Sequence, residues 1–551
     1  MFRKFLNHEL LFVLGCLIAA APLPASAQSF RVQCPQFTNL HPDPAVVLSN
    51  GVTTAVSPVN AAPVGSSYAQ AYPGRIVCQQ ISGGDGFVTM GDGHQIYLFG
   101  FGPLSGLQDI YSGLPGTELN TVFNGGFDAN GGISVGGGVN AGAANSGNGA
   151  ANPLSAPKPN NAVVAEPAEI MNVGVMNASQ PAPLMAINED DEFFLTLSNV
   201  GMINRPDLFE QHTVHFHGYP NASSYFDGVP DASVAIAIAG SFTYYYTAPD
   251  AGTYFWHCHI APPEHLQMGM VGQLYVRPRQ NVVATGSDLY AASTAHACAA
   301  SDYLCSAPLA YPTPAAAVPR AAAPTVAVGG GALSGPASAP LYAYNDGDGT
   351  TAYDVDVPIQ LMSFDPNFHF VGMTFNPEDF AGMKDKYFLL NGRSYPDTII
   401  PNCGANCAAL GNSQPMGTLD NDSVTRMSQP LPALVTIDRS KGQSRALLRL
   451  SQLTVTDFST IATVGVPMKV VGWNARLLRD LAGNNLYYNT NSVTMGGGES
   501  ADVIIDVSDT TQYPVKPGQK TIFYLYSTNL DRLSNDAENF GGQMSEIVIQ
   551  D

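Results

Sequence analysis

Six of the eleven histidines fall between positions 212 and 265, in HTVHFHG (212–218) and FWHCHIAPPEHLQMGM (255–270). On a strand, alternate residues share a face. The spacing therefore puts His215 beside His217 and His257 beside His259, and turns Cys258 to the opposite side. The companions expected for Cys258 are His212, His265 and Met270. Two imidazoles, a thiolate and a weak axial thioether are the ligand set of a blue, type 1 copper. The soft sulfur donors favour Cu(I) and the imidazoles tolerate Cu(II), so such a set supports electron transfer. Zinc is the rival metal for one Cys among several His, and satisfied core histidines are the metal-free alternative. On the other face, His215, His217, His257 and His259 offer four imidazoles, more than one open copper site requires. One strand would then serve two sites joined by adjacent peptide links.

The elements that must position these residues read as strands. DEFFLTLSNV (191–200), SFTYYYTAPD (241–250) and VGQLYV (271–276) alternate apolar and polar residues between Gly, Pro, Asn and Asp. No stretch keeps a helical period over three turns. The predicted fold is all-β, with tandem antiparallel β-sandwiches. Residues 124–162 are Gly-, Asn- and Ala-rich and cannot build a core. The predicted organisation is a leader (1–27), a β-rich N-terminal region (28–162), a copper-binding sandwich (163–281), an Ala/Pro/Gly-rich linker (282–345) and a second sandwich without copper ligands (346–551).

The chain has 551 residues, with 45% apolar and only 12% charged. Gly (55) and Pro (41) are plentiful, which suits turn-rich β structure. Asp plus Glu (44) outnumber Lys plus Arg (23), for a net charge of −21. That field repels nucleic acid and anionic membranes and attracts cations. Arg3 and Lys4, the apolar run 10–23 and Ala25-Ser26-Ala27 form an export signal with cleavage before Gln28. Acylation at Cys16 is the rival. The mature chain is expected to be exported, periplasmic or extracellular, with no membrane span. In an oxidising compartment, Cys298 with Cys305 and Cys403 with Cys407 are close enough for local bridges, which leaves Cys34 with Cys78. A metal site is the rival for Cys403 and Cys407. Cys258 is the odd thiol: a structural free thiol is one reading, but an exported protein seldom leaves one exposed to oxidants, so something is expected to hold it.

At these residues the sequence resembles the multicopper oxidase family of cupredoxin domains, which implies Greek-key sandwiches. The motifs HTVHFHG, FDGVPDAS (226–233), GTYFWHCH (252–259) and the His265…Met270 pair stand in family order, and 176–201 resembles the opening strands. NGRSYPDT (391–398) and GGGESADVIIDVS (496–508) resemble a second cupredoxin domain more weakly. The resemblance implies His212, Cys258, His265 and Met270 as type 1 ligands. It implies His215, His217, His257 and His259 as half of an oxygen-reducing type 2/type 3 cluster, and a proton-delivery role for Asp227. A plain turn residue before Gly228 is the alternative for Asp227. The family cluster needs four His-x-His pairs, and this chain has two. His41, His94, His296 and His369 stand alone and read as surface or turn residues. A second copy across a twofold axis, or another partner chain, could supply the missing half. The six residues between Cys258 and His265, with Pro262-Pro263, resemble the longer loop of copper nitrite reductases.

The expected function is an exported copper oxidoreductase. A small-molecule or metal-ion reductant gives an electron near His265, the ligand expected to reach the surface. Oxygen is the favoured acceptor and nitrite the lesser one. Glu264 could attract a cationic reductant, or could be a solvated surface carboxylate. A blue-copper electron carrier, or a structural exported protein, are the competing classes.

Overall fold

The computed structural model describes residues 30–41, 75–124, 167–281, 341–372, 379–400 and 429–551, apart from positions 39, 112, 220–222, 249, 347–348 and 481–483. The leader, His296, most of the linker, and the Cys298, Cys305, Cys403 and Cys407 positions lie outside the described residues.

The first sandwich has two sheets. One runs β2 (Gln95–Pro103), β1 (Ile76–Thr89), β5 (Glu192–Gly201), β7 (Ser241–Thr247), with β3 (Glu118–Leu119) also on β1. The other runs β4 (Met185–Asn188), β9 (Val271–Arg277), β8 (Gly252–His257), β6 (His215–Phe216). The three segments expected as strands form β5, β7 and β9. The expectation that 28–162 stands apart from 163–281 is at odds with the sheet pairing. β1 runs parallel to β5 from Ile76 opposite Glu192 to Gly84 opposite Gly201, so the early hairpin supplies two strands of the copper-binding sandwich. Its apolar residues Val77, Ile81, Leu98, Phe99 and Phe101 share one core with Cys258, Trp256 and Met270. Cys34 and Cys78 form a disulfide that ties segment 30–41 to β1.

The second sandwich follows a small hairpin, β10 (Leu341–Tyr342) with β11 (Ala352–Tyr353). Its larger sheet runs β13 (Tyr387–Leu390), β12 (Val355–Phe364), β15 (Arg445–Gln452), β21 (Ser500–Asp506), β17 (Met468–Trp473), β18 (Arg476–Leu477), with β19 (Tyr488–Thr490) beside β17. The smaller runs β14 (Val435–Asp438), β23 (Met544–Gln550), β22 (Lys520–Ser527), β16 (Ser459–Val464), β20 (Ser492–Met495). Most pairings are antiparallel. Among the described residues four are parallel (β1 with β5, β4 with β9, β12 with β15, β14 with β23), so the sheets are mixed.

The two sandwiches share an interface along β8 and β9, which explains why both strands are buried on both faces. Thr253 donates to Asp502 at 2.6 Å, and Gln273 donates to Ser451 at 2.7 Å. Arg449, wholly buried, pairs with Asp356 at 2.8 Å and lies 4.4 Å from the Tyr275 ring centroid. A buried charge needs such partners, because desolvation is costly.

Candidate metal centre

β6 and β8 pair with His215 opposite His257 and Phe216 opposite Trp256. Cross-strand partners face the same way, so one side of this ribbon gathers imidazoles and the other carries aromatic core. At the end of β8 the chain turns into Cys258, whose amide donates to the Met270 carbonyl at 3.0 Å. Between them lies the helix α1 (Pro262–Gln267), opened by two prolines and entered through Ala261 in the left-handed region at φ 36°. The Met270 amide donates back to the His265 carbonyl at 2.9 Å, closing the loop onto Cys258.

The ligating atoms of His212, Cys258 and His265 all lie within 4.8 Å of one another, and all three residues are buried. Thr213 N–H points at the Cys258 sulfur, 3.4 Å away. Met270 is fully buried in the same core. Neither ring nitrogen of His212 or His265 has a hydrogen-bond partner. Orphaned buried donors around a thiol are costly unless something satisfies them, and a soft metal ion fits this set. Burial opposes a charge on His265, but the Cys258 sulfur and the Glu210 carboxylate beside it more than reverse this and push it up to about 10. Burial, and then His265, hold His212 well below its ordinary value.

The surface expectation for His265 is not met: its exposure is 0%. The Phe99 ring from β2 packs edge-on against it at 5.2 Å, and Phe101 stacks on Trp256 behind. The group that reaches solvent next to it is Glu210, with its carboxylate 3.6 Å from Nε2 and its side chain 31% exposed. Glu210 carries no motif, and its position two residues before His212 was the sole sequence hint. Glu264 is half-buried in the first turn of α1.

On the other face, His215, His217 and His257 bring their ligating atoms within 4.8 Å. His259 stacks beside them, 5.6 Å from His257 and 5.2 Å from His215 between ring centroids. His257 Nδ1 donates to the Cys258 carbonyl, which leaves its Nε2 bare and aimed at His217 Nε2, 2.9 Å away. Burial, then His215 and His259, hold His217 down to about 4. Burial, then His217, hold His257 well below its ordinary value. Neutral imidazoles converging on one point fit a metal ion. The second sandwich touches this face through Gly498, where a Cβ would lie 2.7 Å from His217 Nδ1.

Asp227 acts on His215 through its backbone: His215 Nδ1 donates to the Asp227 carbonyl at 2.7 Å, and the carboxylate lies 3.5 Å away. Of the isolated histidines, His94 is exposed beside Asp92, and His41 pairs with Glu192 at 2.5 Å. His369 contradicts the surface expectation. It is 4% exposed, stacked on Phe364, and hydrogen-bonded to Gln267 two residues beyond His265. Burial, then His265, hold it down to about 3. Among the described residues, no histidine of the second sandwich joins the four-histidine face.

Residues 161–281 match the sequence profile of multicopper oxidases. A laccase of Aspergillus fumigatus is 32% identical over 108 residues, covering 19% of this chain and 17% of the laccase. An iron transport multicopper oxidase of Gibberella zeae is 35% identical over 89 residues, 16% of this chain and 13% of that protein. A copper-containing nitrite reductase of Rhizobium meliloti is 30% identical over 126 residues, 22% of this chain and 30% of the reductase. The aligned stretch thus spans less than a third of each of these relatives. Among solved structures, the blue copper oxidase of Nitrosomonas europaea aligns over 68% of this chain and 77% of its own, at 17% identity and a TM-score of 0.39.

Proposed function

We propose, from the match of residues 161–281 to the multicopper oxidase profile, that the chain is an exported copper oxidoreductase of that family. The observation that carries the reading is the backbone adjacency of two donor sets. Cys258, with His212 and His265, faces one way, and His257, with His215 and His217, faces the other. Copper supplies one-electron redox chemistry when bound to such sets. In this reading His212, Cys258 and His265, with Met270 buried beside them, would hold a type 1 copper. His215, His217, His257 and His259 would hold type 2/type 3 copper, which would supply the electrons for oxygen as the favoured acceptor and nitrite as the lesser one. Phe99 and Phe101 keep water from the sulfur site. Glu210 meets the reductant, a small molecule or metal ion, at the rim. His257 donates its Nδ1 proton to the Cys258 carbonyl and so keeps its Nε2 free as a donor. Asp227 orients His215 through its carbonyl and stands close enough to hold a proton at its carboxylate. The Cys34–Cys78 disulfide supports export, since such bridges persist in oxidising compartments. No helix among the described residues is long and apolar enough to cross a membrane. A second copy, or another chain, would complete the four-histidine face.

Oxygen uptake with a reducing dye tests the reading, together with a copper count and the visible spectrum. The expected result is an intense blue band, more than one copper per chain, and uptake abolished by His215→Ala with His217→Ala. A colourless copper-loaded protein, or uptake unchanged in that variant, refutes it. The absence of a partner histidine near Gly498 among the described residues favours one second reading, a blue-copper electron carrier. That protein would hold one copper per chain and consume no oxygen.

A further inference from the structure

Loop 258–270 carries three of the four groups assigned above to the sulfur-containing site, and it is gripped from outside its own sandwich. The grip centres on Gln267, the last residue of α1 and two positions beyond His265. Its Oε1 accepts from His369 Nε2 at 2.9 Å and from the Asp365 amide at 3.1 Å. Its Nε2 donates to Asp385 Oδ1 at 2.6 Å. All three partners belong to the second sandwich, in or beside α2 (Pro366–Gly372) and the segment before β13. They are fixed in turn. Asp385 accepts from Thr456, Asp365 accepts from the Asn367, Phe368 and Lys384 amides, and His369 stacks on Phe364 with ring centroids 4.8 Å apart. The Gln267 carbonyl is held from the first sandwich, where Gln180 donates to it at 2.8 Å. Gln267 is 2% exposed, and its bonds to His369, the Asp365 amide and Gln180 are buried, in a low-dielectric setting where they are strong.

We propose that Gln267, clamped by His369 and Asp385, is a positioning residue for the copper loop, and that the second sandwich, which among its described residues carries no candidate metal cluster, sets the redox poise of the metal in the first. This rests on the copper reading above. The physical reason is that α1 has only six residues and begins in a left-handed residue. A helix that short has little stability of its own, so an external clamp decides where it sits. The position of α1 fixes how far His265 and Met270 stand from Cys258. Outer partners of this kind tune a copper site through ligand placement rather than ligand identity.

The test uses the full-length, copper-loaded protein. His369→Leu removes the donor, Gln267→Leu removes all three side-chain bonds, and His369→Gln restores an N–H at comparable reach. Midpoint potential, the blue band and the Cu(II) hyperfine splitting are read alongside copper content and melting temperature. The expected result is a shift in the Cu(II)/Cu(I) binding ratio of about tenfold, or about 59 mV for one electron, in both leucine variants. The copper count should be unchanged, and His369→Gln should return most of the way to wild type. If the leucine variants melt earlier yet keep the wild-type potential and hyperfine splitting, the clamp is structural only and the proposal falls. If His369→Gln shifts as far as His369→Leu, the hydrogen bond is not the cause, and the proposal again falls. A wild-type protein that never turns blue would overturn the copper reading itself, a separate failure.

Discussion

Gly83 lies on β1 against the flank of His212: a Cβ added there would stand 2.6 Å from Cδ2 and 3.4 Å from Nε2 of that ring. Restoring an ordinary contact of 3.4 Å from 2.6 Å moves the imidazole by about 0.8 Å. Metal–ligand distances tolerate only about 0.2 Å. Gly83→Ala is therefore expected to cost about 1–3 kcal/mol of stability through overpacking, and to weaken copper binding at Cys258 by roughly 10–100-fold. Gly86, three residues along the same strand, is the control. Its added Cβ would meet the Ala178 backbone at 3.0 Å, far from any proposed ligand. Copper affinity comes from chelator competition followed at the blue band, and stability from urea unfolding of the metal-free protein. If Gly83→Ala loses stability but keeps wild-type copper affinity and spectrum, as Gly86→Ala should, then His212 is not a ligand held in place by β1.

Three further outcomes are expected. Asp227→Ala keeps the carbonyl that orients His215, so copper uptake at the four-histidine face should change less than threefold, roughly 0.6 kcal/mol. Gly228→Ala should abolish that uptake, since its Cβ would lie 1.9 Å from the Val214 carbonyl at φ +79°; equal effects of the two would discard the backbone role. Burial, and then Asp109, push the Glu118 carboxyl up to about 8 from 4.5. Because the folded value is the higher one, its contribution is complete below pH 4.5 and is lost as pH rises through about 8, by at most about 1.4 kcal/mol per pH unit. Glu118→Gln should flatten that decline in urea midpoints between pH 5 and 8, and an unchanged slope would contradict the assignment. Arg449→Met strands Asp356 in the interface and should cost about 3–5 kcal/mol in chemical unfolding, with Asp356→Leu added in the same chain recovering part of it; no recovery would mean the ion pair is not the source.

The two donor sets were legible because a period of two residues, read on HTVHFHG and FWHCH, fixes which histidines face together. β5, β7 and β9 were legible for the same reason. The parallel pairing of β1 with β5 was not, because it joins segments more than a hundred residues apart across a Gly-rich stretch with no apolar pattern to follow. His369 was misjudged as a surface residue. A lone histidine has no spacing signal, and its burial depends on a contact made with the other sandwich. His265 was expected at the surface because nothing in the local sequence announces that Phe99, arriving on the early hairpin, covers it.

That hairpin has a bearing on how the molecule is made. β5 sits between β1 and β7, so a polypeptide started at residue 163 would present the edge of β5, and the aromatic residues behind it, to bulk water. Such edges recruit other chains. During synthesis the situation is reversed: β1 and β2 leave the ribosome long before β5 exists, and they must wait, unsatisfied, for their neighbour to be translated. Chaperone protection of the nascent N-terminal half, and insolubility of the excised 163–281 fragment, both follow from that order of arrival.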